Sequence, residues 1–234
     1  MSFLQTEKRH QTEWKLRTRN LSQDARKSGL LGNRLYPFCL PVDHSVENLH
    51  HGIRDRLLQY FLASGIAWHK SALPGYPSNH LCSSQVFLVN LLGPFQWDRE
   101  RLLSVAKLMV PEVAEILPIE QADQFLAFEW VPPIDVLREL SPGRGRRKLT
   151  RGVGNTSMDF AFLARNRARQ TVLVLGESKY TEHYPRRLVD PVLASKRLAR
   201  LESLLEPLPW LPIRSHGNRQ LLATEPVYQL LRHH

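Results

Sequence analysis

Cysteine is scarce in this sequence, and long apolar runs are missing from it. Only Cys39 and Cys82 occur, and they do not form a C-x-x-C pair. That pattern argues against a disulfide scaffold or a cysteine metal site, and it favours a reducing compartment. No stretch approaches the ~20 apolar residues of a membrane span, and the charges from Glu7 onward leave no apolar core for a signal peptide. We therefore expect a cytoplasmic protein without a membrane partner.

Several motifs that would identify other chemistries are also absent. The sequence has no G-x-x-x-x-G-K-[ST] phosphate loop and no G-x-S-x-G nucleophile elbow. Its histidines, including His50 and His51, lack the spacing of a zinc-binding helix. These absences direct attention to the acidic and basic residues.

Positive charge is plentiful. The 32 Lys and Arg against 22 Asp and Glu give a net charge of +10, which favours a polyanionic partner such as nucleic acid. An anionic membrane surface or an ordinary basic protein would fit the same charge. Residues 1–35 hold eight Lys or Arg and three acids, a local net charge of 8 − 3 = +5. We interpret this stretch as a basic arm that either lies along a phosphate backbone or is a solvated terminus.

The length of 234 residues fits a single domain behind this arm. We assign residues 36–234 to that domain, with a helical part over about 46–117, a sheet over about 124–182, and a C-terminal helix and tail over 183–234. The two histidines at the end leave open whether the chain is truncated or carries the remnant of a tag.

Apolar periodicity and breaker residues predict the individual elements of this domain. The predicted elements are a helix over Val46–His69, a helix over Ser83–Leu92 with a serine N-cap, two short helices in Arg101–Leu117 separated at Pro111, a strand over Gln124–Val131, a hairpin, and a basic amphipathic helix after Glu182.

The hairpin is the centre of the functional prediction. Two β-type runs flank the polar link Asn166–Gln170, so the numbers of facing residues sum to 336 and Asp159 faces Glu177. Because side chains alternate with period two, Lys179 projects from the same face. Two directly opposed carboxylates are destabilising unless something neutralises them. A divalent cation such as Mg²⁺ would do so and would leave coordination positions for a phosphate substrate.

Other polar residues could complete this site. Glu129 lies on the preceding predicted strand, where a lone acid ordinarily faces water, but the nearby carboxylates favour a role as a further metal or water ligand. Gln85 is polar within an apolar helix, which favours a structural hydrogen bond over a substrate contact. The glycine-rich stretch 141–154 contains no acid and is suited to grip phosphates, with a solvated loop as the alternative. Its basic residues are Arg144, Arg146, Arg147, Lys148 and Arg151.

Three explanations of the charged cluster remain open at this point. The cluster could be a structural ion-pair network, a Mg²⁺ site for phosphodiester hydrolysis, or a surface that binds nucleic acid without cutting it. In the hydrolytic explanation, Asp159 and Glu177 hold the metal, with the backbone carbonyl of Ser178 as a further ligand. Lys179 then orients the attacking water or offsets charge on the phosphate.

The motif also carries a family resemblance. Asp159, seventeen intervening residues and then Glu177-Ser178-Lys179 resemble the motif of the PD-(D/E)XK, or restriction-endonuclease-like, nuclease superfamily. The residues that flank this motif resemble a bacterial branch of that superfamily. Two further segments share the resemblance, His80-Leu81-Cys82-Ser83-Ser84-Gln85 and Phe128-Glu129-Trp130. The resemblance covers about residues 36–182 and, more loosely, the C-terminal leucine-rich helix.

This resemblance implies both a fold and an activity. The fold is an α/β restriction-endonuclease-like core, a mixed central β-sheet flanked by helices, with an N-terminal helical region. The activity is that of a Mg²⁺-dependent DNA endonuclease, with Mn²⁺ as a substitute ion. The alternative is an inactive nucleic-acid-binding module of the same fold, and a homodimer is left open. The implied catalytic residues are Asp159, Glu177, Lys179 and Glu129. Our candidate metal ligands are Asp159, Glu177, Glu129 and the Ser178 carbonyl, and Gln85 and Tyr180 are candidate supporting residues.

One position departs from the family pattern. Met158 stands where many members have a proline before the first Asp. Since many other members also lack that proline, the departure leaves the implied activity in place.

Overall fold

The computed structural model of the chain describes residues 2–132, 151, 157–181, 190–205, 222–225 and 227–228. Contacts divide the chain into two compact units. The first spans Met1–Trp130, Thr150–Val153 and Ser157–Glu182, and the second spans Val131–Leu149, Gly154–Thr156 and His183–His234. The predicted arm and the predicted sheet therefore belong to one unit, and the predicted C-terminal helix belongs to the other.

The N-terminal stretch forms helix α1, Phe3–Arg17, which starts at a capping box. Lys15 on this helix is only 1 % exposed. Its ammonium group donates hydrogen bonds of 2.9 Å to the backbone carbonyls of Lys27 and Cys39, so the buried charge has two acceptors. Lys15 therefore anchors this helix, and the interpretation of residues 1–35 as a basic arm stays a prediction.

A short antiparallel hairpin and three helices follow α1. The hairpin consists of β1, Gly29–Leu31, and β2, Arg34–Tyr36. The helices are α2, Arg54–Ala63; α3, Ser84–Leu92; and α4, Arg99–Met109.

The sequence predicted α3 better than α2. The hydroxyl of Ser83 accepts a hydrogen bond from the amide of Val86 at 3.4 Å, which confirms the predicted serine N-cap of α3. The predicted start of α2 at Val46 is wrong. Residues 42–48 form a separate 3₁₀ helix, and Leu49 after it has extended backbone angles, so α2 begins only at Arg54.

A four-stranded antiparallel sheet completes the first unit. Its strands are β3, Val113–Leu117; β4, Ala127–Trp130; β5, Met158–Asn166; and β6, Thr171–Gly176. The long strand β5 pairs with β6 along one edge. Along its other edge β5 pairs with β4 through its first half and with β3 through its second half, so β3 and β4 lie end to end.

Strand β3 corrects one prediction. Pro111 follows the end of α4, as expected, but residues 113–117 form a strand where a second short helix was predicted. Ile116 and Leu117 pair with Ala164 and Leu163 of β5. The open edge of β5 decides the conformation, because strand preference depends on the partner that a segment finds.

The core lies between the helices and one face of the sheet. Phe162 and Ala164 of β5 are fully buried in it, and Val172 and Val174 of β6 pack against it. Leu173 and Leu175 alternate with them on β6 and are 41 % and 38 % exposed, as the two-residue period requires. The α/β class predicted from the sequence is confirmed.

The second unit contributes helix α5, Pro191–Leu205, which confirms the predicted helix after the sheet. Asp190 caps it, since its Oδ1 accepts the amides of Val192 at 3.0 Å and Leu193 at 3.1 Å. Arg197 donates a 2.7 Å hydrogen bond to the carbonyl of Ala223. Within the described residues, no helix of either unit is long and apolar enough to cross a membrane.

Candidate active site

The register of the β5–β6 hairpin is the one derived from the sequence. Observed partners run from Arg165 opposite Thr171 to Phe160 opposite Gly176, and each pair sums to 336. Asp159 lies one step beyond the last pair. Its Oδ2 accepts a 2.7 Å hydrogen bond from the backbone amide of Ser178. The ends of the two strands that carry the acidic motif are therefore bonded to each other.

Glu129 approaches Asp159 from the other edge of β5. The pairs of Phe128 with Phe160 and of Trp130 with Met158 place Glu129 opposite Asp159 in register, but the ladder is interrupted at this position. Glu129 has a φ of 47°, in the left-handed region that a residue with a side chain seldom adopts. Such strain persists only where surrounding contacts hold it, and it is common at functional sites.

Electrostatics couple the three carboxylates. The pKa of Asp159 is raised to about 7, first by burial, then by the charge of Glu177, and to a smaller extent by that of Glu129. The amide of Ser178 and the charge of Lys179 act in the opposite direction but do not cancel these effects. A carboxyl group in this state gains from any cation that approaches it.

Lys179 lies beside Glu177. Its ammonium group donates a hydrogen bond to the carboxylate of Glu177. The lysine side chain is 35 % exposed and that of Glu177 is 19 % exposed. A mobile cation beside a partly open carboxylate can face an incoming anion without leaving its partner.

Three side chains surround the carboxylate of Glu129, which is 4 % exposed. Gln85 donates a 2.8 Å hydrogen bond to Oε1, and the Ser157 hydroxyl donates one of 2.9 Å to Oε2. His69 places Nε2 at 3.6 Å from Oε1. Gln85 also accepts the amide of His69 at 2.8 Å, so the predicted structural hydrogen bond of Gln85 exists and reaches Glu129.

The oxygen donors fit a hard divalent ion. Mg²⁺ is usually held by one or two carboxylates and keeps several waters, and Asp159 and Glu177 supply two carboxylates at one end of the hairpin. Within the described residues, no group of three or more His, Cys, Asp or Glu side chains is arranged to hold a metal ion. Any ion bound here would therefore be held by Asp159 and Glu177 together with water or a phosphate.

Comparison with known proteins identifies the family. A family model described as Restriction Endonuclease associating with ARP matches residues 8–234. The chain belongs to this family. The predicted relation to restriction-endonuclease-like nucleases is thereby confirmed, and the family description indicates a nuclease, an enzyme that acts on nucleic acid. No curated protein and no solved structure matches the chain.

Of the predicted phosphate-binding residues of this restriction-endonuclease family member, only Arg151 is among the residues that the structure describes. Its guanidinium donates to the backbone carbonyls of Phe128 and Glu129, to the Tyr60 hydroxyl at 2.9 Å and to Glu120 at 2.6 Å. The side chain is 15 % exposed. These contacts hold the carbonyls before and after the strained Cα of Glu129, so Arg151 supports the backbone conformation of Glu129. Arg144, Arg146, Arg147 and Lys148 lie outside the described residues, and phosphate binding by this loop stays a prediction.

Tyr180 connects the motif to α1, a relation that the sequence did not reveal. Its hydroxyl donates a 2.5 Å hydrogen bond to Glu7 and accepts one of 3.1 Å from Gln11. Its ring stacks on Phe87 of α3 with centroids 4.2 Å apart. The pKa of Tyr180 is raised, first by burial and then by the bond to Glu7. The residue after Lys179 is therefore fixed from two helices.

Sequence reasoning missed four residues of this region. Ser157 offered a weak signal, because it directly precedes the strand of Asp159. Glu7, Gln11 and His69 offered none, because each lies far from the motif along the chain.

Proposed function

We propose that this chain is a metal-dependent nuclease that hydrolyses phosphodiester bonds, and that it acts as a DNA endonuclease. One observation carries the proposal. Asp159 lies beside Glu129 of the neighbouring strand β4 and is influenced by the charge of Glu177, which directly follows β6; its pKa is raised to about 7, and Lys179 is bonded to Glu177. A purely structural network would pair such a carboxylate with a cationic side chain, whereas this arrangement leaves it in need of a cation.

Asp159 and Glu177 would hold the ion, with the backbone carbonyl of Ser178 as a further ligand. We propose Mg²⁺, with Mn²⁺ as a substitute. The ion, when bound, polarises the scissile phosphate and lowers the pKa of a coordinated water. Glu129 adds its negative charge to the site, and its carboxylate is held by Gln85 and Ser157.

Lys179 would orient the attacking water or offset the charge that develops on the phosphate. An ammonium group suits this task, because it is compact and moves on a flexible stem. The basic residues Arg144, Arg146, Arg147 and Lys148 would bind phosphates on either side of the scissile bond. The net charge of +10 supports a polyanionic substrate.

A cleavage assay tests this proposal. The purified chain is incubated with supercoiled plasmid, linear duplex and RNA in Mg²⁺, Mn²⁺, Ca²⁺ or EDTA. We expect Mg²⁺- or Mn²⁺-dependent nicking of the plasmid, which requires no free end, and loss of nicking in Asp159→Asn and Lys179→Ala. Cleavage that persists in both variants would come from a contaminant. If the wild-type chain cleaves no substrate under any of these conditions, the proposal is overturned.

A second candidate function is nucleic-acid binding without cleavage. It is favoured by the lack, within the described residues, of a metal-binding group of three or more acidic, histidine or cysteine side chains. This candidate predicts salt-sensitive binding that needs no metal and is unchanged in Glu177→Ala. Binding measured in EDTA and in Mg²⁺ separates the two candidates.

A further inference from the structure

A cavity of about 210 Å³ opens beside the residue that follows Lys179. Trp14 and Gln11 of α1, Asn48, Phe87 of α3, and Tyr180 are among the residues that line it. Trp14 is 42 % exposed and Phe87 is 39 % exposed. Three aromatic rings and three amide side chains, those of Gln11, Asn48 and Asn90, thus line a partly open surface. The volume is below the ~300 Å³ at which sites for drug-sized ligands begin, and it suits a single ring system.

Hydrogen bonds fix the orientation of the Gln11 and Asn48 amides, whereas Asn90 already uses its oxygen and its nitrogen in bonds to His50 and Asn48. The Nε2 of Gln11 donates to Glu7 at 2.9 Å and to the Tyr180 hydroxyl at 3.1 Å. The Nδ2 of Asn48 donates to the carbonyls of Ser78 at 2.7 Å and His80 at 3.1 Å. Because carboxylates and carbonyls only accept, neither amide can be flipped without losing these bonds.

The oxygens of the Gln11 and Asn48 amides are consequently left as acceptors. In the described part of the chain, Oε1 of Gln11 and Oδ1 of Asn48 have no hydrogen-bond partner, and neither does the indole Nε1 of Trp14. Three residues that line the cavity therefore carry polar atoms without a partner among the described residues, two acceptors and one donor. A nucleobase presents the complementary features, a π-face for stacking and an edge with donors and acceptors.

We propose that this cavity receives an unpaired nucleobase of the nucleic acid, with a preference for bases that carry an exocyclic amino group. The proposal rests on the proposed function for its substrate class. Trp14 and Phe87 provide the stacking surfaces, and the oxygens of Gln11 and Asn48 accept from the amino group. The exposed cations Arg9 and Arg17 of α1 lie on the same helix as Trp14 and suit the backbone of that strand.

The position of the cavity gives this contact a consequence for cleavage. Tyr180 lines the cavity and directly follows Lys179 in the chain. A base held there places a neighbouring phosphate near the motif, so the cavity favours single-stranded or locally opened substrate over intact duplex.

Binding of three labelled 12-nucleotide strands tests the proposal without cleavage. Fluorescence anisotropy in EDTA compares oligo(dC), oligo(dT) and an abasic strand of equal charge on the full chain. Cytosine carries an amino donor where thymine carries a carbonyl acceptor. We expect oligo(dC) to bind more tightly than oligo(dT), and the abasic strand to bind on the order of tenfold more weakly than oligo(dC), as loss of base stacking predicts.

Variants assign the effect to the cavity. Trp14→Leu should bring oligo(dC) close to the abasic strand with no change in the salt slope, because stacking releases no counterions. Leu16→Ala is the matched control, since Leu16 is a 59 % exposed residue of the same helix that does not line the cavity. Phe87→Leu is the second variant, and far-UV circular dichroism checks that each chain is folded.

The outcomes separate the two proposals. Equal binding of base-containing and abasic strands, or equal weakening of both by Trp14→Leu, overturns the base cavity while leaving the nuclease proposal intact. Equal binding of oligo(dC) and oligo(dT) overturns the amino preference. If no strand binds and no substrate is cut, the proposed function fails and the cavity proposal fails with it.

Discussion

The backbone amide of Ser178 donates a 2.7 Å hydrogen bond to Oδ2 of Asp159. This bond joins the two halves of the acidic motif across the ends of β5 and β6. It stabilises the ionised form of Asp159, yet burial and the two neighbouring carboxylates outweigh it, and the pKa of Asp159 remains raised to about 7. The carboxyl group is therefore held in position while its charge stays uncompensated.

Asp159→Asn should stabilise the metal-free protein at alkaline pH. The pKa of Asp159 is about 7 in the folded chain, against an ordinary value of 3.8, so the folded state binds more protons between these values. The free energy of unfolding then falls as pH rises from about 4 to about 7. We expect the variant in EDTA to gain on the order of 2 kcal/mol at pH 8 and almost nothing at pH 4.

Urea unfolding at the two pH values measures this gain. Asp123→Asn is the control, because the Asp123 side chain is 72 % exposed. A loss of stability at pH 8, or an equal gain at both pH values, would show that the charge of Asp159 is compensated in the folded protein.

Divalent cations should stabilise the wild-type chain in a pH-dependent way. A ligating carboxylate must be deprotonated, so binding releases a proton and strengthens as pH rises towards 8. An ion present at a hundred times its dissociation constant adds about 2.7 kcal/mol. We expect Mg²⁺ to raise the melting temperature of wild type, and to have no effect on Asp159→Asn or Glu177→Gln. An equal rise in these variants would place the ion elsewhere.

Lys179→Met should reduce cleavage by about 10²- to 10³-fold, the loss typical of a group that stabilises charge in the transition state. Lys107→Met is matched in charge and lies at an exposed position of α4, and it should cleave normally. Single-turnover rates at saturating enzyme separate the chemical step from binding. A variant that loses affinity but cleaves bound DNA at the wild-type rate would make Lys179 a binding residue.

Glu129→Gln should alter the site through charge alone. The carboxamide can still accept from Gln85 and can donate to the Ser157 hydroxyl, so both hydrogen bonds have partners. We expect metal affinity to fall by less than about tenfold, far less than in Asp159→Asn, because one pKa unit of lost interaction corresponds to a factor of ten. Calorimetric titration with Mg²⁺ measures this, with Glu100→Gln at an exposed position as the control. Complete loss of binding would make Glu129 a direct ligand.

Arg151→Met should destabilise the first unit by about 3 kcal/mol, since it leaves two carbonyls and Glu120 without their cationic donor. Arg167→Met at the exposed end of the hairpin is the control and should change stability by less than about 0.5 kcal/mol. Urea unfolding gives both values. A folded, fully stable Arg151→Met that binds DNA weakly would instead assign Arg151 to phosphate.

Local sequence was sufficient for the hairpin and for α3. A five-residue link fixes the β5–β6 register, so Asp159 and Glu177 could be paired by counting alone. Ser83 marks the start of α3, because a hydroxyl that caps a helix acts within three residues of itself. Such features depend on neighbours in the chain, which the sequence displays directly.

Tertiary contacts decided the rest of the candidate site. β3 became a strand because it found the open edge of β5, some 50 residues further along the chain. Glu129 adopts its left-handed backbone under contacts from Gln85 and Arg151, which lie 44 and 22 residues away.

The motif of Asp159, Glu177 and Lys179 was determined by the sequence, because a short hairpin fixes the order and facing of its residues. The contacts from α1 to Tyr180 were decided only by the tertiary structure. Glu7 reaches Tyr180 across 173 residues, and no local pattern predicts a contact whose geometry depends on how every intervening element packs. The sequence thus specifies the acidic residues and the lysine of the motif, and the packing of α1, α3 and β4 around them specifies which side chains hold them in place.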